Sequence, residues 1–203
     1  MLKVLQSNLG RARDAHDNVQ IAVREHQTDI LIIAEPNKKI VSTGEWLVDT
    51  RSDVALKCIN RNVGVQNVRK GAGYIILELQ EVAILACYIS PNIPLDQYKS
   101  EVDEIMNAVD ALSKEMVIAG DFNAASPLWG SANIKSEHWA DWIASKNLTV
   151  QNRGDTPTFT SGKSASFIDV TLTTQGLANK ICDWEVQREE SLSHHRFIHH
   201  FRN

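Results

Sequence analysis

The chain has 203 residues, 43% of them hydrophobic and 23% charged, with 10 Gly and 5 Pro, which is the composition of an ordinary folded domain and more readily one than two. A formal net charge of −4 argues against a protein that holds nucleic acid through bulk positive charge, although metal-binding carboxylates also lower the sum. No apolar run approaches a membrane span, the opening "MLKVLQSNLG" is too polar for a signal peptide, and Cys58, Cys87 and Cys182 read as reduced core residues of an intracellular protein.

Residues 2–8 ("LKVLQSN") read as a short strand. In residues 14–27, Val19, Ala22, Val23 and His26 fall on one side at helical spacing, with Asp14 or Asp17 available as a cap. Residues 28–35 ("TDILIIAE") form a nearly continuous apolar run of strand length, as in a strand buried on both faces. Strands follow at 46–50, 54–60, 73–79 and 82–90, and the Gly-, Asn- and basic-rich residues 61–71 read as a loop. After "SPNIPL", Tyr98, Val102, Ile105, Val109 and Leu112 mark an amphipathic helix of roughly 15 residues. A strand at 115–121 ends on Asp121, a second amphipathic helix covers 136–147, and strands at 148–152, 166–172, 181–187 and 195–201 complete the chain. Many strands mixed with helices, without repeats or linkers, predict one α/β or α+β domain of two packed sheets with helices outside.

The polar residues of these strands share a pattern. Asn8 ends the first, Glu35 the second and Tyr88 a later one. Asp121 and Asn123 end "MVIAGDFN", Asp169 lies within "SFIDVTL", and His195 begins the last strand. Taken singly, each has an ordinary explanation as a turn residue, surface acid or cap. Together they would converge on one rim of a sheet, a common place for a site. Hard oxygen ligands such as Glu35 and Asp169 suit Mg²⁺ or Mn²⁺ better than zinc. Four of the seven histidines crowd into "SLSHHRFIHHFRN", but no glutamate follows His195 as a helical zinc motif requires, and Phe197, Ile198 and Phe201 suggest a strand. On such a strand His195 and His199 share a face, while His200 points the other way.

The ordered series "QSN", "IIAEP", "YISP", "GDFNAASPLWG", "SFIDVTL" and "LSHHR" resembles the endonuclease/exonuclease/phosphatase superfamily, which includes DNase I and apurinic/apyrimidinic endonucleases. The resemblance runs from Gln6 to Arg196. "GDFNAASPLWG", followed by "PTF", is most similar to endonuclease domains of non-LTR retrotransposons, site-specific and telomere-inserting insect elements among them. It implies a four-layer sandwich of two mixed sheets flanked by helices. It also implies a metal-dependent enzyme that nicks double-stranded target DNA, leaving a 3′-hydroxyl and a 5′-phosphate, and acts in the nucleus.

By position, Glu35 would bind Mg²⁺ (or Mn²⁺) and Asn8 would order that shell. Asp121 would orient or deprotonate water, Asn123 and Tyr88 would contact the phosphate, and Asp169 would join the metal and histidine network. His195 would stabilise charge on a phosphoryl oxygen. Such a domain is expected to span 1–203, to be part of a longer polyprotein and to work with that polyprotein's reverse transcriptase, whose primer is the nicked 3′ end. No small-molecule cofactor and no membrane contact are expected. The family's "SDH" is "SHH" here, so His194 occupies the place of the carboxylate that would hold His195, and His194→Asp is expected to raise activity; the alternative is that another acid, Asp169 being the nearest by role, has rebuilt the pair. Arg69 and Lys70 in residues 61–71, and Arg153 and Lys163 in residues 152–164, are candidate DNA contacts on loops. Alternative readings are a repair endonuclease for abasic sites, a phosphatase or sphingomyelinase of the same superfamily, and a DNA-binding module without activity.

Overall fold

The computed structural model describes residues 1–124, 126–129 and 136–202, so Ala125 and Gly130 of "GDFNAASPLWG" lie outside the described residues. The chain opens with β1 (Leu2–Asn8), α1 (Arg13–Glu25) and β2 (Ile30–Ala34), in which β1 and β2 run parallel and bring Asn8 level with Ala34. α2 (Lys38–Val41), β3 (Leu47–Val48) and β4 (Val54–Cys58) follow. Next come β5 (Asn67–Gly71), β6 (Tyr74–Glu78), β7 (Val82–Tyr88), α3 (Leu95–Asp110) and β8 (Glu115–Asp121). The remaining elements are α4 (Ser136–Ser145), β9 (Thr149–Val150), β10 (Phe159–Ser161), β11 (Ser164–Ser166), β12 (Asp169–Thr173), β13 (Ile181–Val186) and β14 (Ile198–Arg202).

Two six-stranded mixed sheets, ordered β13-β14-β1-β2-β4-β3 and β5-β6-β7-β8-β12-β9, pack face to face, and β10-β11 forms a separate hairpin. The apolar run of β2 explains its central place. Ile30 and Ile32 face the core between the sheets, while Leu31 and Ile33 lie against Val19 and Val23 of α1. β7 divides in the same way: Ile84 and Ala86 face the first sheet, and Leu85 and Cys87 lie beneath α3 and α4. Strands buried on both faces hold the layers together, each fully buried Ile or Leu contributing about 1.5–3 kcal/mol. The result is the expected four-layer sandwich.

Register places the rim. Tyr88 at the end of β7 pairs with Asp121 at the end of β8, and Asp121 pairs with Asp169 at the start of β12. Gly120 makes the approach of β7 and β8 possible, since a Cβ there would lie 1.9 Å from the Cys87 carbonyl oxygen.

Four local expectations are corrected. α1 starts after Ala12 without a side-chain cap, rather than on Asp14 or Asp17. Residues 67–71 of the expected basic loop are an edge strand, because Val68 faces the core and the backbone completes a ladder with β6. The expected loop 152–164 contains β10, paired with β11 across Gly162. The last strand begins at Ile198, so His195 precedes it and shares no strand face with His199. Instead His195 makes an isolated bridge to Phe159, while the His199 ring packs, tilted by 49°, against His26 at the end of α1.

Candidate active site

Where the two sheets open, seven polar side chains meet. From the first sheet come Asn8 and Glu35, and from the second Tyr88, Asp121 and Asp169; Asn123 and His195 reach in from adjoining loops. Asn8 Nδ2 donates to Asp121 Oδ2 at 2.9 Å and to Glu35 Oε2 at 3.1 Å, so one amide bridges acids of both sheets. Its Oδ1 accepts the Gly10 N–H at 2.8 Å, which fixes that orientation. Asn123 donates through Nδ2 to Asp121 Oδ2 at 3.1 Å and to the Ile89 carbonyl at 3.0 Å, and its backbone N–H reaches Asp121 Oδ1 at 2.9 Å. Both Glu35 and Asn123 hold left-handed backbone, with φ of 46° and 45°. Non-glycine residues are held there only when their surroundings insist, and such positions cluster at sites.

His195 is buried and carries a carboxylate partner. Its Nδ1 donates to Asp169 Oδ2 at 2.8 Å, leaving Nε2 directed toward Asp121, 3.9 Å away. The Phe159 ring stands edge-on to the imidazole, 4.8 Å between centroids. Ser193 ties the loop to β1: its hydroxyl donates to the Asn8 carbonyl at 2.7 Å and accepts the His195 N–H at 3.3 Å. This overturns the expectation that "SHH" deprives His195 of its partner. His194 instead turns outward, with Nδ1 3.2 Å from the Thr160 carbonyl. The carboxylate comes from β12, whose register delivers Asp169 where the motif reading looked one residue before the histidine.

The electrostatics follow from burial. Asp121 is pushed well above the ordinary carboxylate range, first by burial and then by the neighbouring Asp169 charge, against the pull of His195 and Asn8. Burial works against protonation of His195, but the Asp169 carboxylate, with Asp121 and Glu35 behind it, raises its pKa to about 9. The Tyr88 phenol is raised by burial and by the Glu35 charge beside it.

The four expected DNA contacts separate. Arg69 Nε bonds Glu78 Oε1 at 2.8 Å and is already paired. Lys70 is exposed on the edge strand β5. Arg153 is exposed beside Asn152, whose amide clasps the backbone of β12. Lys163 lies at the turn of the β10-β11 hairpin, whose base is bonded to the His195 loop through Thr160 N–H to the His194 carbonyl and Arg196 N–H to the Thr158 carbonyl, each 2.8 Å. Arg11 lies 3.7 Å from Glu35 and 2.8 Å from Asp53. Thr158, whose hydroxyl accepts the Asp169 N–H at 3.1 Å, and Phe159 belong to "PTF" and Ser193 to "LSHHR", but no role was assigned to any of the three from the sequence.

The family described as Endonuclease-reverse transcriptase matches residues 82–199, more than half of the chain, and this span includes Tyr88, Asp121, Asn123, Asp169 and His195. The chain belongs to the endonuclease–reverse transcriptase family. A relative in Drosophila melanogaster, the 115 kDa protein of the type-1 retrotransposable element R1DM, is 23% identical over 98% of this chain. The chain corresponds to 21% of that protein's length. The fold of this endonuclease–reverse transcriptase family member is also that of the endonuclease domain of TRAS1, a telomere-specific non-LTR retrotransposon. There the TM-score is 0.82 and the identity 20%, covering 98% of this chain and 96% of the other. An AP endonuclease from Archaeoglobus fulgidus (TM-score 0.77, 13% identity) and the 3′ phosphatase NExo from Neisseria, bound to a product DNA hairpin (0.75, 14%), match over the whole of both chains. The chain is thus a member of the endonuclease–reverse transcriptase family with the fold shared by these nucleases.

Proposed function

We propose that this nuclease nicks double-stranded target DNA with a divalent metal ion, leaving a 3′-hydroxyl that primes reverse transcription by its polyprotein's polymerase in the nucleus. The observation that carries the reading is the buried Asp169–His195–Asp121 row, which presents a charged imidazole and a high-pKa carboxylate to one opening.

The residues fit a metal. The Glu35 side chain is 26% exposed on the rim beside the buried Asn8 and Asp121, and Mg²⁺ is held by one or two carboxylates while keeping several waters. Ligating atoms of Asp121, Asp169 and His195 also lie within 4.8 Å of one another, but His195 Nδ1 already occupies Asp169 Oδ2, so Glu35 is the better holder. When bound, the ion supplies neutralisation of charge on the phosphoryl oxygens. Asp121, with its raised pKa, is suited to accept a proton from the attacking water near neutral pH. Asn123 holds Asp121 in place through its side-chain and backbone N–H groups, and its Nδ2 would have to exchange the Ile89 carbonyl for a phosphate oxygen to contact substrate. Asp169 accepts the His195 Nδ1–H and favours the imidazolium, whose Nε2–H points into the opening and stabilises developing negative charge, and Tyr88 donates to a second oxygen.

The test is nicking of intact plasmid in Mg²⁺, with an abasic oligonucleotide and a soluble phosphomonoester beside it. The reading expects nicked plasmid with extendable 3′ ends, abolished by chelator and reduced by orders of magnitude in Asp121→Ala and His195→Ala. Activity confined to the abasic substrate or the monoester would replace it.

A further inference from the structure

Beyond the residues facing the opening, the structure contains a buried carboxylate that joins its two walls. Asp49 follows β3 and is 5% exposed, yet no cation pairs with it among the described residues. Its oxygens instead accept four backbone N–H groups. Oδ1 takes Asp53 at 2.6 Å and Val54 at 2.8 Å, and Oδ2 takes Arg51 at 3.1 Å and Gly73 at 2.8 Å. Three of these donors belong to the turn 49–54, in which Ser52 is left-handed at φ 59°. The fourth, Gly73, lies on the other sheet's side of the opening.

What each donor touches next decides the meaning. The Asp53 carbonyl accepts the Glu35 N–H at 2.9 Å, and the Gly73 carbonyl accepts the Tyr88 N–H at 2.9 Å. Asp49 is therefore one residue removed from the backbone of Glu35 on the first sheet and one from that of Tyr88 on the second. Gly73 has little latitude to move, since its φ is 79° and an added Cβ would lie 2.6 Å from the Tyr88 carbonyl. Arg51 reinforces the crossing with a two-pronged bond to Glu101 of α3 at 2.8 and 2.9 Å.

A turn-forming aspartate needs only the three local donors. The bond to Gly73 goes further and sets the width of the opening at this point. We infer that Asp49 is a positioning residue for the nuclease reaction: it holds the metal-binding Glu35 and the phosphate-binding Tyr88 at a fixed separation across the two sheets. This rests on the proposed roles of those two residues.

The decisive variant is Asp49→Ser. A serine hydroxyl caps the local turn, but its oxygen stops one bond short of the carboxylate and does not reach Gly73. The control is Asp29→Asn, another aspartate that accepts a backbone N–H, from Lys3 at 2.9 Å, at the opposite end of the same sheet. Both variants are measured for thermal unfolding, plasmid nicking against Mg²⁺ concentration, and the split between kcat and KM. Displacing a reacting group by about 1 Å costs on the order of a hundred-fold. Asp49→Ser is expected to lower kcat ten- to a hundred-fold and raise the half-saturating Mg²⁺ concentration, with KM for DNA little changed. Asp29→Asn should leave all three near wild type even where it melts lower.

A double-mutant cycle adds a second readout, because residues acting through a shared partner are not additive. Asp49→Ser should add little to the defect of Tyr88→Phe. If Asp49→Ser proves no worse than Asp29→Asn at equal melting temperature, or its effect adds fully to that of Tyr88→Phe, the inference fails. If Asp49→Ser does not fold, Asp49→Asn, which keeps one acceptor oxygen, is put through the same cycle under the same criteria. A wild-type protein that nicks no DNA would refute the functional reading instead.

Discussion

Replacing Asp169 by Asn removes one negative charge and almost no volume, so it isolates what the carboxylate does to His195. In the wild type, burial alone would hold the imidazole neutral, and the Asp169 carboxylate at 2.8 Å reverses this, raising the pKa from 6.5 to about 9. Without that charge burial is opposed only by Asp121 and Glu35, and the pKa falls toward the ordinary histidine value of about 6.5. At pH 8 the protonated fraction then drops from about 90% to about 3%, roughly 30-fold. At pH 6 the same arithmetic gives only about 1.3-fold. A second loss is independent of pH, because a neutral asparagine oxygen holds and orients the Nδ1–H less firmly than the carboxylate does, and acid–base groups typically contribute ~10²–10⁴-fold. The signature is therefore a deficit that widens by about 20-fold between pH 6 and pH 8 on top of a constant loss. The assay is plasmid nicking under single-turnover conditions at saturating Mg²⁺, with circular dichroism confirming the fold and a Mg²⁺ titration checking that metal demand is unchanged. A folded Asp169→Asn that nicks within threefold of wild type at pH 8, or whose deficit is the same at both pH values, would refute the assignment.

Since Asp169 already serves His195, His194→Asp should leave nicking at pH 7.5 within about threefold of wild type, and a tenfold change in either direction would show that His194 takes part. His200 is buried with neither ring nitrogen bonded and its pKa is lowered to about 3, while that of His199 is lowered to about 4. The unfolded chain takes up these protons near pH 6.5 and the folded chain does not, so stability falls as pH drops below 6.5, by about 2 kcal/mol at pH 5 for His200 alone. His200→Phe should flatten that dependence in urea unfolding at pH 7.5 and pH 5, and an unchanged slope would contradict the burial. Lys163→Ala should reduce the salt slope of DNA binding by about one, whereas Arg69→Ala, whose guanidinium is spent on Glu78, should leave it unchanged. Equal effects of the two would place β5 in the interface.

Most of the fold was legible because its central strands are written without interruption. "ILIIA" and "VAILACY" admit little besides strands buried on both faces, and the polar residue ending each one marks the same rim. The basic run at 61–71 misled because an edge strand needs no alternation strong enough to overcome Gly64, Gly71 and two exposed cations. Asp169 was visible as a site residue, but its bond to His195 depends on the antiparallel pairing of β12 with β8, which no local spacing encodes. Asp49 was invisible for the same reason. In the sequence it is the acid within "WLVDT", and its meaning lies in Gly73, 24 positions away.

Eight described non-glycine residues have positive φ, and five of them, Arg11, Glu35, Ser52, Asn123 and Leu192, belong to the loops around the opening. For an ordinary L-residue that backbone state is unfavourable by about 1–2 kcal/mol, and glycine would relieve it. The molecule is thus stable in spite of its site, and the gradient has a direction. A copy of this chain released from selection for cleavage would find stabilising substitutions concentrated at Glu35 and its neighbours on the rim. Decay of activity would be accompanied by a firmer fold, so a well-expressed, heat-resistant descendant is the one whose chemistry should be doubted first.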